Sequence, residues 1–159
     1  RAFGSCPVVS QHNFDENLIL LGDTMGGLAR TAGSGHNVEH RLLSIAAFAM
    51  QWSRVALGAI NQGSEASFRY ALEDVRKERQ RQGALFVAGK LSFDCASPVV
   101  DARRKYRVLL EEVGEVAQAV DQLELKPGNG ILRAHLAEEL IQVAAVAVAW
   151  LEALEARTQ

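Results

Sequence analysis

Residues that break helices are clustered in this chain, and the segments between the clusters carry apolar side chains at helical spacing. Alternation of the β type is sustained in no segment. Helix-breaking clusters occur at residues 33–35, 61–64 and 126–130, and residues 83–98 read as a loop that holds a short turn. The pattern predicts five helices, at about residues 14–31, 36–60, 64–82, 101–124 and 131–156.

Short connections between helices favour antiparallel neighbours, so we expect an all-α bundle of about five helices. Ser64 and Asp101 are the expected N-caps of the third and fourth helices. With 159 residues, 48% of them hydrophobic, the chain has enough apolar material for one core. We expect residues 1–70 and 71–159 to be two halves of one compact domain.

An internal repeat supports the division into halves. Residues 26–32 resemble residues 114–120, and residues 42–52 resemble residues 140–150, each longer segment ending in Trp after an Ala-rich stripe. Small residues at this spacing let two helices approach closely. We therefore expect two similar helix pairs that pack face to face as a pseudo-twofold, four-helix core.

Charge and cysteine content exclude several classes of partner. A net charge of −2 indicates no general polyanion-binding surface, so no polymeric nucleic acid is expected. Cys6 and Cys95 match no zinc spacing and form no disulfide framework, which favours a reducing cytoplasm. The apolar run 140–151 is too short to span a bilayer, and no signal segment opens the chain, so no membrane partner is expected.

Five glutamates lie on two apolar helices, within residues 111–115 and 138–142. Because residues three or four apart share a helix face, Glu112 and Glu115 point the same way, as do Glu139 and Gln142. Carboxylates stacked in this way repel, and the repulsion rises on burial, whereas a hard cation reverses its sign. Oxygen ligands suit Mg²⁺ or Mn²⁺, and Mg²⁺ usually binds together with a phosphate substrate.

Residues 73–157 resemble the all-α nucleoside triphosphate pyrophosphohydrolases of the MazG-like group. The family pattern is Glu-x-x-Glu, a spacer, and Glu-x-x-Asp, and here it reads Glu112–Glu115 and Glu139–Gln142. Residues 78–82 and 89–95 also look like the segments that precede this pattern in some members. The resemblance implies a MazG-like four-helix core, formed here by a degenerate tandem repeat. It also implies Mg²⁺-dependent cleavage of a nucleoside triphosphate into the monophosphate and pyrophosphate.

The same resemblance implies roles for individual residues. The metal ligands would be Glu112, Glu115, Glu139 and Gln142, although Gln142 stands in place of the usual Asp and brings no charge. Glu138 or Glu111 could complete the metal shell instead.

Glu111 or Glu112 would orient or deprotonate the attacking water. The basic residues expected to contact phosphate are Lys90, Arg103, Arg104, Lys105 and, from the first half, Arg30 or Arg41. For the basic residues around 76–81 and 103–107, a solvated helix face is the favoured alternative. Phe86, Phe93 and Trp52 are the aromatic candidates for contact with the base.

The repeat retains the packing positions and loses the charges, since Glu115 aligns with Gly27 and Glu139 with Arg41. The first half is therefore expected to be a scaffold copy without a metal site. Three functions stay open: a pyrophosphohydrolase of nucleotide-pool housekeeping, a worn relative that senses a nucleotide without cutting it, and a structural helical interaction protein. The halves can complete one core as a monomer, and the Ala-rich faces leave a homodimer open.

Overall fold

The structure is a computed structural model that describes residues 9–10, 13–32, 37–58 and 65–157. Within these ranges the chain forms five α-helices and no strands. The helices are α1 (Phe14–Ala32), α2 (Val38–Ala56), α3 (Glu65–Val87), α4 (Ala102–Leu125) and α5 (Gly130–Glu155). The prediction of an all-α bundle of about five helices is confirmed. The predicted breaks at 33–35 and 61–64, and the predicted cap Ser64, lie outside the described residues.

The starts of α4 and α5 are fixed by side-chain caps. The Asp101 carboxylate accepts a hydrogen bond from the backbone N–H of Arg104, as predicted. The Asn129 side chain accepts from the backbone N–H groups of Ile131 and Leu132. The predicted break at residues 126–130 is therefore confirmed, since α4 ends at Leu125 and α5 begins at Gly130.

The C-terminal end of α3 differs from the sequence prediction. We expected a loop from residue 83, but the helix continues through Gly83 to Val87, so the prediction was wrong for residues 83–87. One interior glycine costs a helix only about 1 kcal/mol relative to alanine. The helix-forming residues on both sides of Gly83 offset that cost.

The core is centred on α5, which packs against α2, α3 and α4, while α1 packs against α2 and α4. Alanines and valines make up most of the buried face of α5, and they allow close approach of the neighbouring helices. Trp52 and Trp150, one from each half of the chain, are both buried in this core. Buried side chains from the two halves thus form one continuous apolar cluster.

By length and composition, α5 is apolar enough to cross a membrane, and it is the one such helix in the described part of the chain. In the bundle, 61% of its most apolar 18-residue window is buried against other helices. The core helix of a folded protein has the same composition, so this observation is weak evidence for a membrane span.

The outer helix, α3, contributes only Ala71 and Val75 to the buried residues. Its remaining surface carries ion pairs at i,i+3 spacing, including Glu73–Arg76 and Glu78–Arg81. Because α3 packs against α5, its second half lies beside the part of α5 that carries the acidic residues.

Candidate metal centre

Three glutamates from two helices meet at the interface between α4 and α5. Glu112 and Glu115 on α4 and Glu139 on α5 each place one carboxylate oxygen within 4.8 Å of the others. The three-residue spacing puts Glu112 and Glu115 on one face of α4, and that face is turned toward α5. Side chains that are distant in sequence therefore form a compact oxygen cluster.

Glu112 is the most strongly perturbed member of the cluster. Burial, followed by the charges of Glu115 and Glu139, raises the pKa of Glu112 to about 7. Its Oε2 atom is buried and has no hydrogen-bond partner among the described residues. A buried carboxylate oxygen without a donor is costly, and a hard cation among three carboxylates would remove both the desolvation penalty and the repulsion. The donor set therefore fits Mg²⁺ or Mn²⁺.

Glu139 is contacted by two side chains of its own helix, α5. Gln142 Nε2 donates to Glu139 Oε2 over 2.8 Å, and His135 Nδ1 lies 3.3 Å from Glu139 Oε1. The Glu139 side chain is only 10% exposed, and burial followed by the charge of Glu115 raises its pKa, whereas His135 acts to lower it. Gln142, the predicted fourth ligand, thus contacts the cluster through a hydrogen bond that orients the Glu139 carboxylate.

The other two predicted acidic residues lie at the edges of the site. Glu111 is exposed and lines the same cavity as Glu112 and Glu115. Glu138 is exposed and lines a second, larger cavity on the other side of Gln142. The structure therefore places Glu111 beside the carboxylate cluster and Glu138 outside it.

A cavity of about 340 Å³ opens beside the cluster and is lined by Glu112 and Glu115, whereas Glu139 is not part of its lining. One part of the wall is apolar and is formed by Leu85, Leu91, Phe93, Val108 and Val146. The larger part of the lining is Arg81, Gln82, Ser92, Asp94, Cys95 and Gln142, together with Glu111, Glu112 and Glu115. Sites for small ligands combine an apolar wall with converging polar groups in this way.

Two of the basic residues predicted to contact phosphate have other partners. Lys105 is 1% exposed, and its Nζ donates to the Ser97 carbonyl over 2.8 Å. Burial, followed by the charge of Arg157, lowers the pKa of Lys105. The Arg104 guanidinium carbon lies 4.1 Å from the centre of the Phe93 ring. Neither Lys105 nor Arg104 lines the cavity beside the glutamates.

The other predicted basic residues lie further from the cluster or on its margin. Lys90 is exposed in the segment after α3, and Arg103 and Arg30 are exposed on their helices. The Arg41 guanidinium packs against Gly27 in the first half of the chain, where a Cβ on Gly27 would lie 3.0 Å from Arg41 Cζ. The structure does not bring these side chains into the lining of the cavity.

Sequence reasoning missed Arg81, which is the one basic residue in the described lining of this cavity. We had assigned the basic residues within 76–81 to a solvated helix face. The usable signal was the likeness of residues 78–82 to the segment that precedes the acidic motif in MazG-like proteins. On that basis Arg81, and not the basic cluster at 103–105, was the better candidate.

The segment that closes the cavity, residues 88–101, is tied down by three cations. Lys105 holds the Ser97 carbonyl, and Arg157 donates to the Pro98 carbonyl from Nε over 2.9 Å. Arg79 reaches Asp94 over 3.5 Å. These contacts fix the positions of the cavity residues within 92–95.

Cys95 lies in this segment and is buried. Burial raises the pKa of the Cys95 thiol to about 11, so the sulfur stays protonated at neutral pH. A protonated thiol is a poor nucleophile, so the environment of Cys95 does not favour covalent catalysis by its sulfur.

The fold and the site together define an all-α bundle with a carboxylate cluster at the interface of two core helices. Comparison with protein-family models, with curated proteins and with solved structures finds no match to this chain.

Proposed function

We propose that this protein is a Mg²⁺-dependent nucleoside triphosphate pyrophosphohydrolase of the MazG-like kind, which acts in nucleotide-pool housekeeping in the cytoplasm. One observation carries the proposal. Glu112, Glu115 and Glu139 converge within 4.8 Å, next to a cavity large enough for part of a nucleotide. The acidic motif that resembles the family pattern thus lies on two helices that face each other.

Each residue of the site would have a separate role. Glu112, Glu115 and Glu139 would hold Mg²⁺, or Mn²⁺ in its place, with Gln142 keeping Glu139 in orientation. When bound, the metal would neutralise charge on phosphate oxygens and lower the pKa of a coordinated water. Glu111, exposed on the edge of the same cavity, would orient a water for attack on the α-phosphorus, with pyrophosphate as the leaving group.

The apolar wall of the cavity suits a nucleoside. Of the three aromatic candidates, Trp52 is buried in the core and Phe86 is absent from the cavity lining, whereas Phe93 lines it. Arg104 covers one face of the Phe93 ring and so holds the ring in place. We assign Phe93 to contact with the base.

A contact between Gly27 and Arg41 in the first half of the chain supports the proposal of a degenerate repeat. Gly27 and Arg41 align with Glu115 and Glu139, and in the structure the Arg41 guanidinium packs directly on Gly27. On this alignment, a cationic side chain would take the place of the glutamate cluster between α1 and α2. This half would serve as scaffold, and a homodimer remains compatible with the exposed helix faces.

A nucleotide sensor without hydrolytic activity is the second candidate, and the geometry of Gln142 favours it. Gln142 directs an amide N–H to Glu139 Oε2, so it adds no charge to the cluster and occupies one carboxylate oxygen. Three carboxylates in place of four would weaken metal binding and, with it, the polarisation of a triphosphate.

Pyrophosphate release over a panel of ribo- and deoxyribonucleoside triphosphates, with and without Mg²⁺, tests the proposal. The wild type should release pyrophosphate only with the metal, and Glu112→Gln should abolish release. Glu124→Gln, on the same helix but outside the cavity lining, is the matched control and should retain activity. A sensor would be stabilised by a nucleotide yet release nothing, and an interaction protein would show no Mg²⁺-dependent stabilisation at all.

A further inference from the structure

Two cavities meet at one pair of side chains. The cavity beside the glutamates and a second cavity of about 630 Å³ both have Arg81 and Gln142 in their linings. The larger cavity is lined by residues of α3 and α5 and by Ser53 and Leu57, and its charged residues are Asp74, Lys77, Glu78, Arg81 and Glu138. Arg81 and Gln142 therefore form a boundary that a ligand longer than either cavity would cross.

Arg81 is placed to act on a ligand at that boundary. It is the one basic residue that lines the glutamate cavity among the described residues, and its side chain is 55% exposed. The pKa of Arg81 is raised chiefly by its hydrogen bonds to Glu78, and the charge of Glu112 adds to this. Arg81 therefore lies within electrostatic range of the carboxylate cluster.

Without a ligand, Arg81 is paired with Glu78. Arg81 Nε and an Arg81 terminal nitrogen each donate to a Glu78 carboxylate oxygen over 2.7 Å. The Glu78 side chain is only 12% exposed, so departure of Arg81 would leave a largely buried carboxylate without its cation. Glu78 also accepts from Gln82 Nε2 over 3.0 Å, so it keeps a hydrogen-bond partner if Arg81 leaves.

We infer that Arg81 exchanges partners: it separates from Glu78 and binds the outer phosphates of a polyphosphate ligand. The ligand would run from the glutamate cluster across the boundary formed by Arg81 and Gln142. This inference rests on the proposed function and specifies how its substrate is held. The planar guanidinium, already in a two-point contact with a carboxylate, can make the same two-point contact with a phosphate of higher charge. Lys77 lines the larger cavity, on the far side of the boundary, where the end of the polyphosphate would reach.

The chain contains a matched control for this test. Arg76 pairs with Glu73 on the same helix at the same i,i+3 spacing, with hydrogen bonds of 2.8 and 2.7 Å. Arg76 lines neither of the two cavities that meet at Gln142. Replacing either arginine therefore removes an i,i+3 pair on α3, although Glu78 is less exposed than Glu73 (12% against 44%), and only Arg81 lines the glutamate cavity.

Binding of Mg²⁺ alone is measured first, as a thermal shift of the full-length wild type, Arg81→Gln and Arg76→Gln. Inorganic pyrophosphate and tripolyphosphate are then titrated in the presence of Mg²⁺. We expect an equal Mg²⁺ shift in all three proteins. We expect pyrophosphate to bind Arg81→Gln roughly 10- to 100-fold more weakly than wild type, because charge-assisted hydrogen bonds are lost, and to bind Arg76→Gln like wild type.

Exchange between partners has its own test. Glu78→Gln frees Arg81 and should tighten pyrophosphate binding, whereas Glu73→Gln should leave it unchanged. The gain should vanish when Glu78→Gln is combined with Arg81→Gln. Equal pyrophosphate affinity for Arg81→Gln and Arg76→Gln, with the Mg²⁺ shift retained, would overturn the role of Arg81 and leave the metal site standing. Absence of any Mg²⁺ shift in the wild type would overturn the proposed function, and this inference with it.

Discussion

Gln142 and Glu139 form a hydrogen bond of 2.8 Å in which the amide Nε2 donates to the carboxylate Oε2. They stand three residues apart on α5, so the bond links neighbours on one helix face. The sequence resemblance has Asp at this position, and here the amide orients one of the three clustered carboxylates. If the cluster binds a metal as proposed, Gln142 supplies a fixed orientation of Glu139 in place of a fourth negative charge.

Gln142→Asp should strengthen metal binding and lower the stability of the metal-free protein. The substitution removes the donor to Glu139 and adds a fourth carboxylate near the cluster, so the metal-free protein should lose about 1–3 kcal/mol of stability. Mg²⁺ should then stabilise the variant more strongly than it stabilises wild type, as measured by the melting temperature over a Mg²⁺ titration. Gln118→Asp places the same charge on the exposed surface of α4 and controls for charge alone. A smaller Mg²⁺ shift in Gln142→Asp than in wild type would contradict the placement of this side chain.

Glu112 should make the metal-free protein less stable as the pH rises. Its pKa is about 7 in the folded state and lies near 4.5 for an exposed glutamate, so between these values the folded state binds more protons than the unfolded state. The free energy of unfolding therefore falls as the pH rises from about 4.5 to 7, and the loss is complete above pH 7. At pH 8 without metal, Glu112→Gln should melt at a higher temperature than wild type.

At pH 5 the same comparison should give a much smaller difference, because Glu112 is then protonated in the folded wild type. Addition of Mg²⁺ at pH 8 should reverse the order, since only wild type retains the full set of ligands. Glu16→Gln, at an exposed position on α1, serves as the control. An equal effect of Glu112→Gln at pH 5 and pH 8 would show that the Glu112 carboxylate is not buried with other negative charges.

Lys105 should act on structure and not on phosphate. Its Nζ donates to the Ser97 carbonyl from a buried position, so Lys105→Met should destabilise the protein by about 1–3 kcal/mol by leaving that carbonyl without a donor. Amide hydrogen exchange at residues 94–100 should become faster, whereas Lys90→Met, in an exposed position, should change neither quantity. Weakened pyrophosphate binding in Lys105→Met without faster exchange would instead support the phosphate role expected from the sequence.

The fold was accessible from the sequence because its signals are local. The cap Asp101 and the Pro–Gly break at residues 126–130 act through adjacent backbone groups, and both are confirmed. The end of α3 was missed because Gly83 resembles a helix stop, although a single glycine inside a helix costs only about 1 kcal/mol. Helix ends depend on small free-energy differences that a residue pattern does not contain.

The candidate site was accessible only in part, because spacing along a helix gives a face but not what lies opposite that face. The pairing of Glu112 with Glu115, and that of Glu139 with Gln142, follows from periodicity, whereas the meeting of the two helix faces does not. The partners of Lys105 and Arg81 depend on tertiary packing, which places one under a loop and the other on a cavity wall. Charge alone does not distinguish these two cations.

Gly114 tests whether the glycines of the repeat are needed for packing. Gly26 aligns with Gly114, and the next position pairs Gly27 with Glu115. A Cβ on Gly114 would meet nothing within 4 Å, whereas a Cβ on Gly27 would lie 3.0 Å from Arg41 Cζ. Because alanine is a better helix former, Gly114→Ala should stabilise the protein by about 0.5–1 kcal/mol, which is a rise of roughly 1–4 °C in melting temperature.

Gly27→Ala should give a smaller gain or a net loss, because the Arg41 guanidinium must move to admit the new methyl group. Combining Gly27→Ala with Arg41→Ala removes that crowding and should restore the helix-propensity gain, so the two substitutions should be non-additive in a thermal unfolding cycle. Simple additivity would mean that the Arg41 guanidinium does not rest on Gly27. Arg41 would then not fill the counterpart of the glutamate cluster in the first half of the chain.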